Sequence, residues 1–433
     1  MPIIKIPLNK REIKVEIPEE NFLGVLEPNP IQGLNNPMEK IRESLIYPTN
    51  SKPLAELAKG KKQVVIVITD ITRPTPDHLL VPAILTELEK AKVKSECITI
   101  LIATGLHRPN NKEELIERLG KYVVENYKIV NHVGTKNDLV YLGKTSYNCP
   151  VWINSIAANA DLLISTGIIE PHFYAGFSGG RKNIAIGVAG EETIMLQHRP
   201  QVFDHPNTQI GNIEENIFHA NAMEIAEMAG LDFILNVVLN DKGEIAGVVA
   251  GDFKEAFYQG VEIAKKVYQV EIDEQADIAI AGIGFPKDAN LYQATRGASC
   301  IAFSKYPAVK KGGLIIIPAE TEEGVGQGLG EQRFYNIMKS AKNYEEIISN
   351  IRLNGYPAGG QRAYLMALTL RHAEVCITNS KTPEAVEDMH MKAMNNVNNA
   401  LEYGLKCYGK HAKVIVLPHS LQVVTSKKIV NKK

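Results

Sequence analysis

The chain has 433 residues, 45% of them hydrophobic and 22% charged, and a formal net charge of −1. That length exceeds the usual ceiling for one hydrophobic core, so two domains are expected, and the near-zero charge excludes a global basic field for nucleic acid. Five dispersed cysteines without a C-x-x-C pair argue against a disulfide framework or a zinc–thiolate site and fit a reducing cytosol.

Residues 3–7 and 12–17 cluster apolar side chains around the polar Leu8-Asn9-Lys10-Arg11, which predicts a hairpin. The start, Met1-Pro2-Ile3-Ile4-Lys5, lacks the apolar core of a signal peptide. Short apolar runs then alternate with helical patterns. Residues 64–68 read as a buried strand, followed by a helix over about 78–91. Residues 97–102 form the next strand, with a helix over about 112–119, and 127–130 and 162–165 continue the series. Near-continuous β-branched runs separated by helices indicate parallel strands buried on both faces, hence a doubly wound α/β domain. A second series runs through 278–282, 314–317, 375–378 and 414–417, and the charged segment 271–275 before it is a plausible hinge. No run approaches the roughly eighteen apolar residues needed to span a bilayer, so no membrane segment is expected. The one dense basic patch, residues 426–433, reads as a solvated terminus.

In open α/β sheets ligands collect at the carboxyl ends of strands. Three such ends carry polar chemistry. After the 64–68 strand comes Asp70-Ile71-Thr72-Arg73-Pro74. There Arg73 is suited to a carboxylate or phosphate through a forked hydrogen bond, Asp70 to orienting Arg73, and Thr72 to a phosphate oxygen. After 97–102 comes Ala103-Thr104-Gly105-Leu106-His107-Arg108-Pro109, whose His107 suits proton transfer near neutral pH. The third is Ile168-Ile169-Glu170-Pro171-His172-Phe173-Tyr174-Ala175-Gly176-Phe177-Ser178-Gly179-Gly180-Arg181-Lys182. Its glycines allow backbone N–H groups to approach an anion, and Lys182 is a phosphate ligand, a nucleophile or a surface residue. The spacing is neither a Walker loop nor a dinucleotide fingerprint. Taken alone, His198 closes a short helix and complements its dipole. His132 is a weaker candidate, and His219 has no partner pattern. The glycine-rich run 323–330 reads as a connection or a second anion loop. On a helix, Tyr292 and Arg296 would share a face beside Gln293.

These residues resemble the nickel-dependent lactate racemase family of 2-hydroxyacid racemases and epimerases, almost end to end. The resemblance rests on Asp70-x-Thr72-Arg73-Pro74, on Ala103-Thr104-Gly105-x-His107-Arg108, on the long stretch Glu170 to Lys182, on His198 sixteen residues after that lysine, and on Tyr292-Gln293. It implies two α/β domains with mainly parallel sheets and the active site in the interdomain cleft. The first would span 1–273 and bind the cofactor, the second would span 274–417 and close over it, and a tail of about 418–433 would pack back on the first.

The implied cofactor is nickel in a pincer nucleotide, a pyridinium-3,5-dithiocarboxylic acid mononucleotide type held through a thioamide. Lys182 would be the tether and His198 the nickel ligand. His107 and His172 would be the paired acid and base in reversible hydride transfer. Asp70, Thr72, Gly176, Ser178, Gly179 and Gly180 would hold the cofactor, and Arg73, Tyr292, Gln293 and Arg296 the substrate. Cofactor-maturation enzymes are the implied partners, the expected compartment is cytoplasmic, and the family leaves room for a homodimer.

Two positions depart from the lactate pattern. Arg296 stands where lactate enzymes carry lysine, and Gln361, beside Arg362, where they carry tryptophan. Malate or a sugar acid is therefore an alternative substrate to lactate. A nicotinamide-dependent dehydrogenase would need a dinucleotide loop after an early strand, which is missing. A non-catalytic protein binding a phosphorylated or hydroxyacid ligand is the rival of a different class.

Overall fold

All six residues of Val64–Thr69 are buried, as a β-branched run must be when it forms a parallel strand covered on both faces. In the computed structural model, which describes residues 1–135, 138–357 and 359–428, this strand is central to one of two sheets of six strands. The chain divides into two units, one of residues 30–202 and 213–267, the other of 1–29, 203–212 and 268–433.

In the first unit the sheet order is Ile245–Gly251, Leu231–Leu239, Leu162–Ile168, Val64–Thr69, Ile98–Ala103, Lys128–Asn131. Neighbours are parallel except for the edge pair Leu231–Leu239 with Ile245–Gly251. The chain first builds outward from Val64–Thr69 to one side, then returns to build on the other. Val64–Thr69 thus lies at the reversal of strand order, where this architecture forms its ligand crevice. Helix Asp77–Lys90 covers one face and buries Leu80, Val81, Ile84 and Leu88. It is pinned by Asp77, which is fully buried and accepts from Arg118 Nε and Thr166 Oγ1 at 2.8 Å each. Helix Lys112–Leu119 starts on a reciprocal cap between Asn111 and Glu114.

In the other unit the sheet order is Lys392–Met394, Glu374–Thr378, Val309–Pro318, Ala276–Ala281, Val414–Leu417, Phe22–Val25, all parallel. The expected hairpin is present as Ile3–Leu8 paired with Arg11–Glu16. The division is discontinuous, in place of the single break expected at 273/274. Residues 1–29 join the second sheet because the short strand Phe22–Val25 completes its edge. Strand Val424–Lys427 pairs with Gln269–Ile272 inside this same unit. Of the basic patch 426–433, residues 429–433 lie outside the described residues. No helix among the described residues is long and apolar enough to cross a membrane.

Candidate active site

Three adjacent strands of the first unit, Leu162–Ile168, Val64–Thr69 and Ile98–Ala103, deliver the three predicted loops from neighbouring carboxyl ends. The Asp70 carboxylate is only 4% exposed. Its Oδ1 accepts from Thr72 Oγ1 at 2.6 Å and from Thr72 N at 3.2 Å. Its Oδ2 lies 2.6 Å from His107 Nδ1. Burial pushes the Asp70 carboxyl up, but the hydrogen bonds from His107 and Thr72 outweigh it and the net shift is downward. An ionised carboxylate can only accept, so His107 carries its proton on Nδ1 and keeps a lone pair on Nε2. The His107 side chain is 60% exposed, which suits a group that meets a ligand.

Asp70 therefore orients His107, and not Arg73 as the sequence suggested. Arg73 instead faces Glu170, with NH1 3.6 Å from Oε1. That partner was missed because nothing in the sequence states that the 64–69 and 162–168 strands are neighbours.

His172 is held from behind by the chain that follows it. Its Nδ1 accepts from the backbone N–H groups of Tyr174 and Ala175, each at 3.3 Å. Its Nε2 lies 2.8 Å from Lys182 Nζ. With Nδ1 occupied as an acceptor, the ring proton belongs on Nε2, and the lysine amine must accept it as the neutral base. The environment agrees. Desolvation, with Arg73 and Arg181 adding to it, holds the Lys182 amine well below the usual lysine range.

His198 follows helix Glu191–Gln197. Its Nδ1 donates to the Ile194 carbonyl at 2.8 Å, which puts the lone pair on Nε2. The ring stands edge-on to Tyr174 and Phe218, with centroids 5.7 and 5.2 Å away. Desolvation pushes this imidazole down to about 4, so it is neutral at physiological pH. A neutral imidazole whose other nitrogen is tied to a carbonyl is the usual form of a histidine metal ligand. Among the described residues, no three His, Cys, Asp or Glu side chains gather to hold a metal.

The glycine stretch is built for close packing. Ser178 N donates to the Glu170 carbonyl at 2.8 Å, and the Ser178 hydroxyl to the Ile168 carbonyl at 2.7 Å. Gly180 N donates to Asn236 Oδ1 at 2.8 Å. A Cβ on Gly179 would sit 2.8 Å from Ile169 Cγ1, and one on Gly180 2.4 Å from Ile234 Cγ2. Gly176 and Gly179 have φ of +70° and +112°, which favour glycine. The Thr72 hydroxyl is likewise directed at Asp70. These donors, expected to face a phosphate, are directed into the protein.

Arg181 and His219 were also missed. Arg181 is 0% exposed, and its Nε donates to His219 Nδ1 at 3.0 Å. His132 is buried, with Nε2 2.9 Å from the Ala189 carbonyl and Nδ1 3.2 Å from Asn154, and serves the fold.

Tyr292, Gln293 and Arg296 belong to the other unit. Tyr292 and Gln293 lie on the short helix Leu291–Ala294, and Arg296 opens Arg296–Ala302. The helix is interrupted at Thr295, and Arg296 NH1 donates to Gln293 Oε1 at 3.1 Å. Gln361 opens helix Gln361–His372. Its neighbour Arg362 donates to Thr295 Oγ1 at 3.0 Å and lies over the Tyr292 ring at 5.8 Å. Arg362, the neighbour of one departure from the lactate pattern, thus bonds Thr295, the residue before the other. In the run 323–330, Gly328 begins helix Leu329–Ser340, and its N–H donates to Glu331.

Residues 8–211 match the lactate racemase N-terminal domain family and 272–425 the lactate racemase C-terminal domain family. A lactate racemase of Lactiplantibacillus plantarum is 35% identical, the match covering 98% of this chain and all of that one. One of Thermoanaerobacterium thermosaccharolyticum is 33% identical over 99% of this chain and all of its own. The lactate racemase apoprotein structure from T. thermosaccharolyticum superposes with a TM-score of 0.89 at 31% identity, covering 98% of this chain and all of that one. A Thermotoga maritima protein structure, 18% identical and covering 93% of this chain and all of that one, shares the fold at a TM-score of 0.68.

Proposed function

The chain belongs to the lactate racemase family, and from that premise we propose that it inverts the hydroxyl-bearing carbon of a 2-hydroxyacid with His107 and His172 as paired acid and base. It is an isomerase. Lactate is the first substrate proposed. The observation that carries the reading is the opposite preparation of the two imidazoles. His107, backed by the Asp70 carboxylate, offers a lone pair on Nε2, while His172, backed by two amides, offers a proton on Nε2.

Arg73 binds the substrate carboxylate as a guanidinium fork and exchanges its long contact with Glu170 for it. His107 takes the hydroxyl proton, and the Asp70 carboxylate behind it compensates the charge the ring gains. His172 serves the hydroxyl in the opposite pose, so that the proton returns on either side. Each histidine must come within hydrogen-bond reach of that hydroxyl in one pose. Tyr292, Gln293 and Arg296 are assigned to the substrate as well. When bound, a nickel-pincer nucleotide supplies a hydride acceptor, which spares the reaction a carbanion beside a carboxylate.

The residues present fit that group. Lys182, as a neutral amine, suits an acyl tether, and His198, neutral with its lone pair on Nε2, suits nickel. Maturation enzymes would have to deliver the group. We assign Gly176, Ser178, Gly179 and Gly180 to shaping the turn that presents Lys182, and Asp70 and Thr72 to holding His107 beside the cofactor.

Lys182→Ala protein, matured alongside the wild type, should lack the added nucleotide mass and racemise no 2-hydroxyacid. Normal activity in that variant would sink the reading. A wild-type chain with neither added mass nor nickel after maturation would favour a binding protein instead. A second reading, a larger or more polar acid such as malate or a sugar acid, is favoured by the two guanidinium groups of Arg296 and Arg362 beside Gln293 and Tyr292.

A further inference from the structure

Arg181 is a buried cation with no carboxylate among its contacts with the described residues. Its NH2 donates to the carbonyls of Ala175 and Phe177, both at 3.0 Å, and its Nε to His219 Nδ1 at 3.0 Å. Its Cζ lies 3.8 Å from the centroid of the Phe257 ring. Its NH1 is buried and has no hydrogen-bond partner among the described residues. An apolar side chain in its place would leave the Ala175 and Phe177 carbonyls and His219 Nδ1 without this donor. The role of the guanidinium therefore lies in what Nε and NH2 hold.

They hold the backbone of the loop that orients His172. The Ala175 carbonyl accepts from Arg181, and the Ala175 N–H donates to His172 Nδ1 at 3.3 Å. His172 Nε2 then meets Lys182, the residue after Arg181, at 2.8 Å. The chain of contacts closes on itself within residues 172–182. His219, on helix Ile217–Met228, anchors it from outside, and its Nε2 lies 3.3 Å from Tyr258 Oη.

We propose that Arg181 is a positioning residue that, through Ala175, holds His172 as the tautomer protonated on Nε2, with His219 holding Arg181 in turn. The consequence for catalysis rests on the reading of His172 as an acid–base group. The tautomer itself does not.

The test is nitrogen-15 spectroscopy of the histidine rings in the full-length chain without cofactor, with His172 assigned by the signals lost in His172→Gln. The wild type should show an unprotonated Nδ1 and a protonated Nε2 for His172. Arg181→Met and His219→Leu should move these signals toward exchanging tautomers. His219→Asn, whose amide oxygen can replace Nδ1 as acceptor, should restore them. In the loaded enzyme Arg181→Met should lower kcat about tenfold or more while KM stays within about twofold. A wild-type His172 protonated on Nδ1 overturns the proposal, as do folded variants whose His172 signals match the wild type. If Arg181→Met does not fold, His219→Leu against His219→Asn decides. Absence of racemisation by the loaded wild type would instead defeat the acid–base reading, leaving the tautomer result to stand alone.

Discussion

Asp70 decides which nitrogen of His107 is free, because a carboxylate 2.6 Å from Nδ1 can only accept. In Asp70→Asn the amide can present either its oxygen or its NH2, and the tautomer is no longer imposed. Racemisation should fall roughly a hundredfold or more, with the melting temperature nearly unchanged, because the lost contact belongs to a ring 60% exposed. Parallel kinetics and thermal melts check this, and a rate close to wild type would contradict the role. The sequence paired Asp70 with Arg73, its close neighbour, since a local partner is the only one a sequence can name. The true partner lies 37 positions away, in the loop after the next strand. Substrate choice is also decided by single residues. Replacing Arg296 by Lys exchanges a forked cation for a point charge. The ratio of kcat/KM for lactate over a dicarboxylic or polyhydroxy acid should then rise about fivefold or more. An unchanged ratio across a chiral panel of 2-hydroxyacids would remove Arg296 from substrate selection.

Strands were legible where burial was nearly continuous. Val64–Thr69, Ile98–Ala103 and Leu162–Ile168 show themselves as β-branched or apolar runs because both their faces are covered. The glycine stretch was legible as special but not in purpose. A glycine that admits an anion and one that admits a neighbouring side chain look alike in sequence. The neighbour here is strand Leu231–Leu239, some fifty residues onward, through Ile234 and Asn236. Gly180→Ala should therefore destabilise the first unit by roughly 1–3 kcal/mol, as overpacking does, since its Cβ would fall 2.4 Å from Ile234 Cγ2. Urea unfolding measures the loss. A variant as stable as the wild type would mean that this turn has slack, and the phosphate reading of Gly180 would regain ground.

For the whole molecule, the two series of parallel strands were readable, but the membership of residues 1–29 was not. A four-residue edge strand, Phe22–Val25, carries too weak a pattern to name its partner almost 400 residues later. Equally hidden was how many histidines the fold keeps neutral. His219 is 5% exposed and His132 1% exposed. Desolvation first, with Arg181 adding to it, pushes His219 from 6.5 down to about 2, and desolvation also lowers His132. The unfolded chain then binds protons below 6.5 that the folded chain refuses, so stability is full above that pH and falls as the solution is acidified. Each such group contributes a slope of at most about 1.4 kcal/mol per pH unit. Asp77 works in the opposite sense. Desolvation raises it, and the folded chain takes its proton more readily than the unfolded one. The difference between wild type and His219→Asn isolates the imidazole from that opposing carboxyl. The wild type should lose stability on going from about pH 6.5 to about pH 4.5, and the variant should lose less, by up to about 1.4 kcal/mol per pH unit. Urea unfolding at several pH values measures both slopes. Equal slopes would show that His219 titrates alike in the folded and unfolded chains, which a ring packed against the Arg181 guanidinium should not do.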